Sequence, residues 1–265
     1  FTTDNLIWRV NLNTASRAPN PSELFSDGLH HSIAQIELGD LRIDSEKSFK
    51  AASQLVFNWE NLTTDFSAYY KRINDFILLE PDGIQQTIRG AFPVFAYSQT
   101  DVDMLGFDIS LQYQFNQNLD FKSDFSYTYG QDIKNDRPVI NMPPPSLKNQ
   151  INYTLPQWNQ ATFSLTHRYV FEQNRFPDDD FTTQILNSQF GEFEETNVNI
   201  SQPPDAYNLI DFRFNYPLEL DFADLNLALS INNLLDTSYR SYLNRQRFYA
   251  DEIGRNFLLQ LKLNY

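Results

Sequence analysis

Period-two alternation constrains this chain more than any other feature. From Phe257 onward, Phe257, Leu259, Leu261, Leu263 and Tyr265 fall on one parity, with Leu258, Gln260, Lys262 and Asn264 on the other. Leu225, Leu227, Leu229 and Ile231 alternate in the same way with Asn226, Ala228, Ser230 and Asn232. Leu105, Phe107, Ile109, Leu111, Tyr113 and Phe115 alternate with Gly106, Asp108, Ser110, Gln112 and Gln114. Similar runs surround Trp8, Phe49, Phe66, Phe125, Ile151, Leu165 and Phe212. Successive side chains of a strand point to opposite faces, so each run is a strand with one apolar and one polar face. The pattern predicts about ten strands, mostly about 9–12 residues long, and no segment carries a 3.6-residue period.

Strands of that length match the ~9–11 residues that a tilted strand needs to cross hydrocarbon. The connections support the same reading. Short ones fall at 58–61, 116–118, 156–159 and 217–224, and long ones at 17–41, 81–99, 134–146, 173–206 and 236–253. Short turns at one end and long loops at the other are the arrangement of an outer-membrane barrel. Trp59, Phe115, Trp158 and Tyr216 gather at the short-turn end, where amphipathic rings suit a membrane interface. The expected fold is all-β: a transmembrane antiparallel β-barrel whose apolar parity meets lipid and whose polar parity lines a lumen.

Composition narrows the function. The 34 acidic and 20 basic side chains leave a formal charge of −14, which argues against nucleic acid as a partner. Cysteine is absent, so disulfides, thiol nucleophiles and Cys-ligated metals are excluded. The chain has 3 histidines, no G-x-S-x-G, no H-E-x-x-H and no phosphate-binding glycine loop, so no enzyme is expected. No apolar run approaches the ~18 residues of a membrane helix, which leaves a barrel untouched.

Four landmarks resemble the C-terminal part of a TonB-dependent outer-membrane receptor. They are Ala15-Ser16-Arg17-Ala18-Pro19 running on to Glu23-Leu24-Phe25; Glu37-Leu38-Gly39-Asp40-Leu41 followed by Ser45-Glu46-Lys47-Ser48; Asn232-Asn233-Leu234-Leu235-Asp236 with Tyr239; and Gly254-Arg255-Asn256 opening the last strand. The resemblance implies a 22-stranded barrel around a plug domain, of which residues 1–265 hold about ten C-terminal strands, with plug and N-terminal strands lying outside. It implies an outer-membrane location in a Gram-negative bacterium and active import of a scarce nutrient, energised by the TonB complex. The substrate expected first is a metal ion or metal chelate: siderophore-iron, haem or zinc. No resident cofactor is expected. Plug domain, lipid, lipopolysaccharide and a small-molecule or metal ligand complete the expected partners. The first long loop is most similar to zinc- and haem-linked members, with Asp40 where Asn is usual and Ser16 where Phe often precedes Arg-Ala-Pro. Two other readings fit the alternation: a self-contained ten-stranded barrel similar to the omptin proteases, and a soluble β-sandwich.

Candidate ligand contacts lie in the long loops. His30 and His31 could bind a metal, with Asp27, Glu37 and Asp40 as possible oxygen donors. Arg240, Arg245, Arg247, Tyr242 and Tyr249 in the last loop suit an anion, since the guanidinium fork matches carboxylate-like groups. Arg89, Phe92 and Tyr97 make the same claim in the second long loop. Asp178–Asp180, Glu192, Glu194 and Glu195 form an acidic loop. His167 falls on an apolar parity and reads as structural, and Lys50, Asp108 and Arg213 fall on the lumenal parity, where charges need partners.

Overall fold

The structure is a computed structural model and describes residues 2–3, 5–187, 191–220 and 223–264. In chain order the elements are β1 (Leu6–Arg17), α1 (Pro21–Phe25), β2 (Asp27–His30), β3 (Gln35–Leu38), β4 (Glu46–Trp59), β5 (Leu62–Thr87), β6 (Gly90–Asn116), β7 (Leu119–Asp132), β8 (Arg137–Pro138), β9 (Ser146–Leu155), β10 (Ala161–Val170), β11 (Asp180–Asn187), β12 (Glu192–Asn199), β13 (Tyr207–Leu220), β14 (Ala223–Asn232) and β15 (Asn256–Asn264). Ten of them form one antiparallel path, β1-β4-β5-β6-β7-β9-β10-β13-β14-β15. That is the expected number. Among the described residues β1 and β15 share no ladder, so the sheet is open, and the closed ten-stranded alternative is not what forms.

Register follows the alternation. Phe107 lies opposite Ala68 and Tyr127, while Asp108 lies opposite Ser67 and Ser126. Every apolar residue thus meets an apolar or small neighbour, and a one-residue slip would exchange the two faces. The apolar face is not packed against a second layer. Trp8, Leu12, Phe49, Phe66, Leu105, Ile151, Leu165 and Leu261 are all exposed, and Leu259 keeps 64% of its surface accessible. A sandwich would bury this face between two sheets. Instead the buried apolar cluster is small, Val102, Val139 and Met142 at the long-loop end, with Phe76 and Met104 against it.

Polar groups on the apolar face are satisfied locally, as lipid requires. Trp8 Nε1 donates to Ser53 Oγ at 2.9 Å, and Ser123 Oγ donates to Asn149 at 2.9 Å. His167, on the parity expected for it, hydrogen-bonds Asn208 at 2.9 Å. Above a certain height this face turns polar on the first strands, at Thr14, Lys47, Arg72 and Asp103. Trp59 and Phe49 are ten residues apart, about 33 Å along a strand and about 25 Å along the membrane normal at a ~40° tilt. That is the height of the apolar band of an outer-membrane barrel.

The other face is a hydrogen-bonded polar wall. Arg9 donates to Gln54, Gln54 donates to Asp65 at 2.6 Å, and Ser67 donates to the same carboxylate. Ser126 donates to Asp108 at 2.6 Å, and Lys50 Nζ sits 4.7 Å from the centre of the Tyr69 ring. The neighbouring strands therefore supply the partners expected for Lys50 and Asp108. Tyr69 lies over Gly106, where a Cβ would come within 2.5 Å of the ring.

One expectation needs correction. Residues 81–99 are not a loop. β5 and β6 continue far beyond the apolar band and pair up to Thr87 and Gly90. Register shifts between Ile73 and Phe76 and between Pro81 and Gly83 break the period while the chain stays extended. Asp75 (φ 56°) and Gly83 (φ 115°) take the left-handed backbone that such bulges use. The eye loses the alternation at a bulge although the ladder resumes after it. The other long connections hold structure of their own: α1, β2 and β3 in the first, β8 in the third, and the β11–β12 hairpin in the fourth.

Candidate functional site

The family landmarks turn out to be architectural. Arg17 is clasped by two carboxylates: its Nε and Nη2 donate to Glu46 at 2.9 and 3.0 Å, and its Nη1 donates to Glu23 at 3.0 Å. Glu46 also accepts from the Ile77 amide and Glu23 from the Asn20 amide, so one cluster fixes β1, α1, β4 and β5. Gly39 lies so close to Leu24 that a Cβ would meet its backbone carbonyl carbon at 2.6 Å. The Gly39 amide donates to Ser26 O and the Asp40 amide to Glu23 O. At the other landmark Asn233 (φ 51°) and Asp236 (φ 58°) make a tight turn. Asp236 accepts from the Arg255 amide at 2.8 Å, and Arg255 Nε donates to Leu234 O. These contacts anchor the long loops to the strand ends.

The anchored loops interlock at the end opposite the short turns. β3 adds to β6 in parallel, pairing Ile36 with Val94 and Glu37 with Phe95. The last loop then docks on this unit. Arg245 Nη1 donates to Glu37 at 2.9 Å, Gln246 Nε2 to Ser32 O at 2.8 Å, and Tyr249 Oη to Ala34 O at 2.8 Å. Glu37 keeps only 6% of its surface and also accepts from Gln35 at 2.7 Å. On its other side the last loop reaches the β12–β13 connection, where Arg247 Nη2 donates to Ile200 O at 3.2 Å. Arg247 is 7% exposed, with its guanidinium carbon 4.4 Å from the Phe248 ring centre and 4.9 Å from that of Tyr242. Burial lowers the Arg247 pKa and raises that of Tyr242. Burial also raises the Tyr97 and Tyr249 phenols, with the Glu37 charge adding to the effect at Tyr97.

Five of the expected contacts, Tyr97, Tyr242, Arg245, Arg247 and Tyr249, therefore converge in one loop cluster. Arg89 does not join them. It occupies the exposed tip of the β5–β6 hairpin beside Ile88. Phe92 pairs with Gln85 just below that tip. His30 and His31 are exposed at the β2–β3 turn, and His30 is engaged with Ser32 at 3.1 Å. Their supposed oxygen partners are committed elsewhere, Glu37 to Arg245 and Asp40 to Arg42 at 2.8 Å. Among the described residues no group of three His, Asp or Glu side chains could hold a metal ion.

Sequence reasoning missed Asn199, Gln202 and Phe248. With Arg240, Arg247, Pro203 and Pro204 they line an open cavity of about 290 Å³ between the last loop and the end of the β11–β12 hairpin. An apolar hollow of about 200 Å³ adjoins it, with Phe248 in both walls and Pro93, Ile200 and Tyr249 beside it. No periodic pattern marks these loop positions, so only tertiary placement reveals them. The arrangement can hold a ligand by charge, hydrogen bonds and apolar contact. It offers no nucleophile–base pair.

Comparison with known proteins agrees with this geometry. The family described as TonB dependent receptor-like, beta-barrel matches residues 2–234. The chain belongs to that family. Among solved structures it is similar to the copper transporter OprC, at 20% identity and a TM-score of 0.76, over 100% of this chain and 38% of that one. It is also similar to the siderophore receptor PirA from Acinetobacter baumannii (15%, TM-score 0.65, 99% and 39%). A variant of the ferric enterobactin receptor PfeA from Pseudomonas aeruginosa gives 12%, 0.68, 99% and 38%. The comparison with curated proteins gave no match. The chain thus spans under two fifths of the length of these receptor chains, and it has the fold of part of their barrel.

Proposed function

We propose that this chain forms ten strands of the barrel of an outer-membrane receptor that imports a scarce nutrient, a metal ion or metal chelate. The observation that carries the reading is the exposed apolar face of an open ten-stranded sheet, bounded at a membrane-like height and capped at one end by interlocked loops. An open edge is untenable in lipid, so β1 and β15 pair with further strands of the same receptor. The polar wall then lines the lumen, where a plug domain would meet Arg9, Lys50, Asp108 and Arg213. Import draws on the TonB complex of the inner membrane, and the outer rim contacts lipopolysaccharide. The titles of the similar structures, a copper transporter and two siderophore or ferric-siderophore receptors, support metal-linked cargo.

The test is accumulation of radioactive iron or copper by Gram-negative cells that express the full-length receptor, with and without TonB. Accumulation that requires both receptor and TonB is the expected result. Equal accumulation in cells without TonB would contradict it.

A further inference from the structure

The cluster's arginines are not equivalent. Arg240 is paired with Asp251 at 2.6 Å, and Arg245 is paired with Glu37 at 2.9 Å. Arg247 is the most buried of the three and has no carboxylate partner among the described residues. The carboxylate of Asp179 binds Ser201, next to the carbonyl that Arg247 contacts, but it is shared with Arg137 at 3.7 Å. A desolvated guanidinium without a counter-charge is costly, and ring stacking offsets that cost only in part. Two further groups beside it are unmatched. Arg247 Nε, a donor, and Asn199 Oδ1, an acceptor, are both buried without a hydrogen-bond partner among the described residues. Both residues line the 290 Å³ cavity, and the apolar hollow opens beside it across Phe248.

We infer that this cavity is a binding site for an amphipathic anion. The ligand's anionic oxygen accepts from Arg247, its hydroxyl or amide donor meets Asn199, and its apolar or aromatic flank covers Phe248 and Ile200. The inference rests on the receptor reading and specifies its cargo: a negatively charged organic chelate, since the positive charge of Arg247 repels a bare metal ion here. The docked last loop supports the site. Arg245, Gln246 and Tyr249 hold that loop on the β2–β3 turn, which leaves Arg247 free to face the cavity.

The test uses the full-length receptor in detergent and three probes: the trianionic iron complex of a synthetic tricatecholamide, a cationic iron trihydroxamate, and Cu(II) alone. Titration should show the anionic complex binding to the unmodified receptor. Arg247→Gln should weaken it about tenfold or more, the loss typical of one charge-assisted hydrogen bond, and Arg247→Lys should weaken it less. Asn199→Asp places a competing carboxylate on the wall and should weaken the same probe while keeping the packing. It carries the test if Arg247→Gln fails to show the heat-modifiable migration of a folded barrel. Failure of the anionic complex to bind the unmodified receptor, or unchanged affinity in folded Arg247→Gln and Asn199→Asp, would overturn the inference. TonB-dependent uptake of Cu(II) or the cationic complex without the anionic one would also overturn it, while leaving the receptor reading intact. TonB-independent accumulation of every probe would remove both.

Discussion

Gly39 shows how one residue's lack of a side chain organises a loop. A Cβ at this position would come within 2.6 Å of the Leu24 backbone, which cannot yield as a flexible side chain would. Gly39→Ala in the full-length receptor should destabilise the first loop by about 1–3 kcal/mol, the range for overpacking a close contact. Faster amide exchange across α1 and β3, with the barrel strands unchanged, is the expected readout. The buried phenols give a second residue-scale prediction. Burial raises the pKa of Tyr97, Tyr242 and Tyr249 above the ordinary value of 10.0. A raised folded-state value means their contribution is fully present below pH 10.0 and is lost as pH climbs through the folded values. The cap should therefore loosen at strongly alkaline pH before the barrel unfolds. Near-ultraviolet tyrosinate absorbance should show a late-titrating set, and its absence would contradict the burial described here. Sequence alone pointed to Arg245 and Arg247 by residue type. It could not show that Arg245 is neutralised by Glu37 and Arg247 is not, because those partners lie over 200 and nearly 50 residues away. His30 and His31 failed as a metal pair for the converse reason: the nearby acids that looked like ligands were already held by arginines.

At the scale of elements, the barrel strands were legible because alternation is written directly into residues such as Leu105 to Phe115. The same rule mistook 81–99 for a loop, since bulges at Asp75 and Gly83 shift the parity without ending the ladder. The β11–β12 hairpin was hidden by its polar composition, because neither face supplies an apolar stripe. Turn elements can be tested singly. Asp236 accepts the Arg255 amide where β15 begins. Asp236→Ala should cost about 1 kcal/mol, the net worth of such a hydrogen bond. Denaturant unfolding of the full-length receptor should register that loss, together with raised exchange at Arg255. An unchanged midpoint would mean that the turn is held by the Asn233–Thr237 contacts instead.

For the whole molecule, one face of the sheet must tolerate lipid and the other must not. Leu229→Arg and Ser230→Arg occupy adjacent positions of β14 on opposite faces. An arginine at mid-membrane on the lipid side costs about 2–4 kcal/mol, whereas a lumenal one is nearly neutral. Unfolding of the full-length receptor in lipid vesicles should show that difference, and equal effects would contradict the assignment. The most direct measurement follows β6 residue by residue, using single cysteines in the full-length receptor at Phe107, Asp108, Ile109, Ser110, Leu111 and Gln112, since this stretch carries no cysteine of its own. Fluorophores at 107, 109 and 111 should be quenched by a lipid-borne quencher, while 108, 110 and 112 should react with a membrane-impermeant maleimide entering the lumen. Uniform labelling along the strand, or the opposite alternation, would contradict the barrel account.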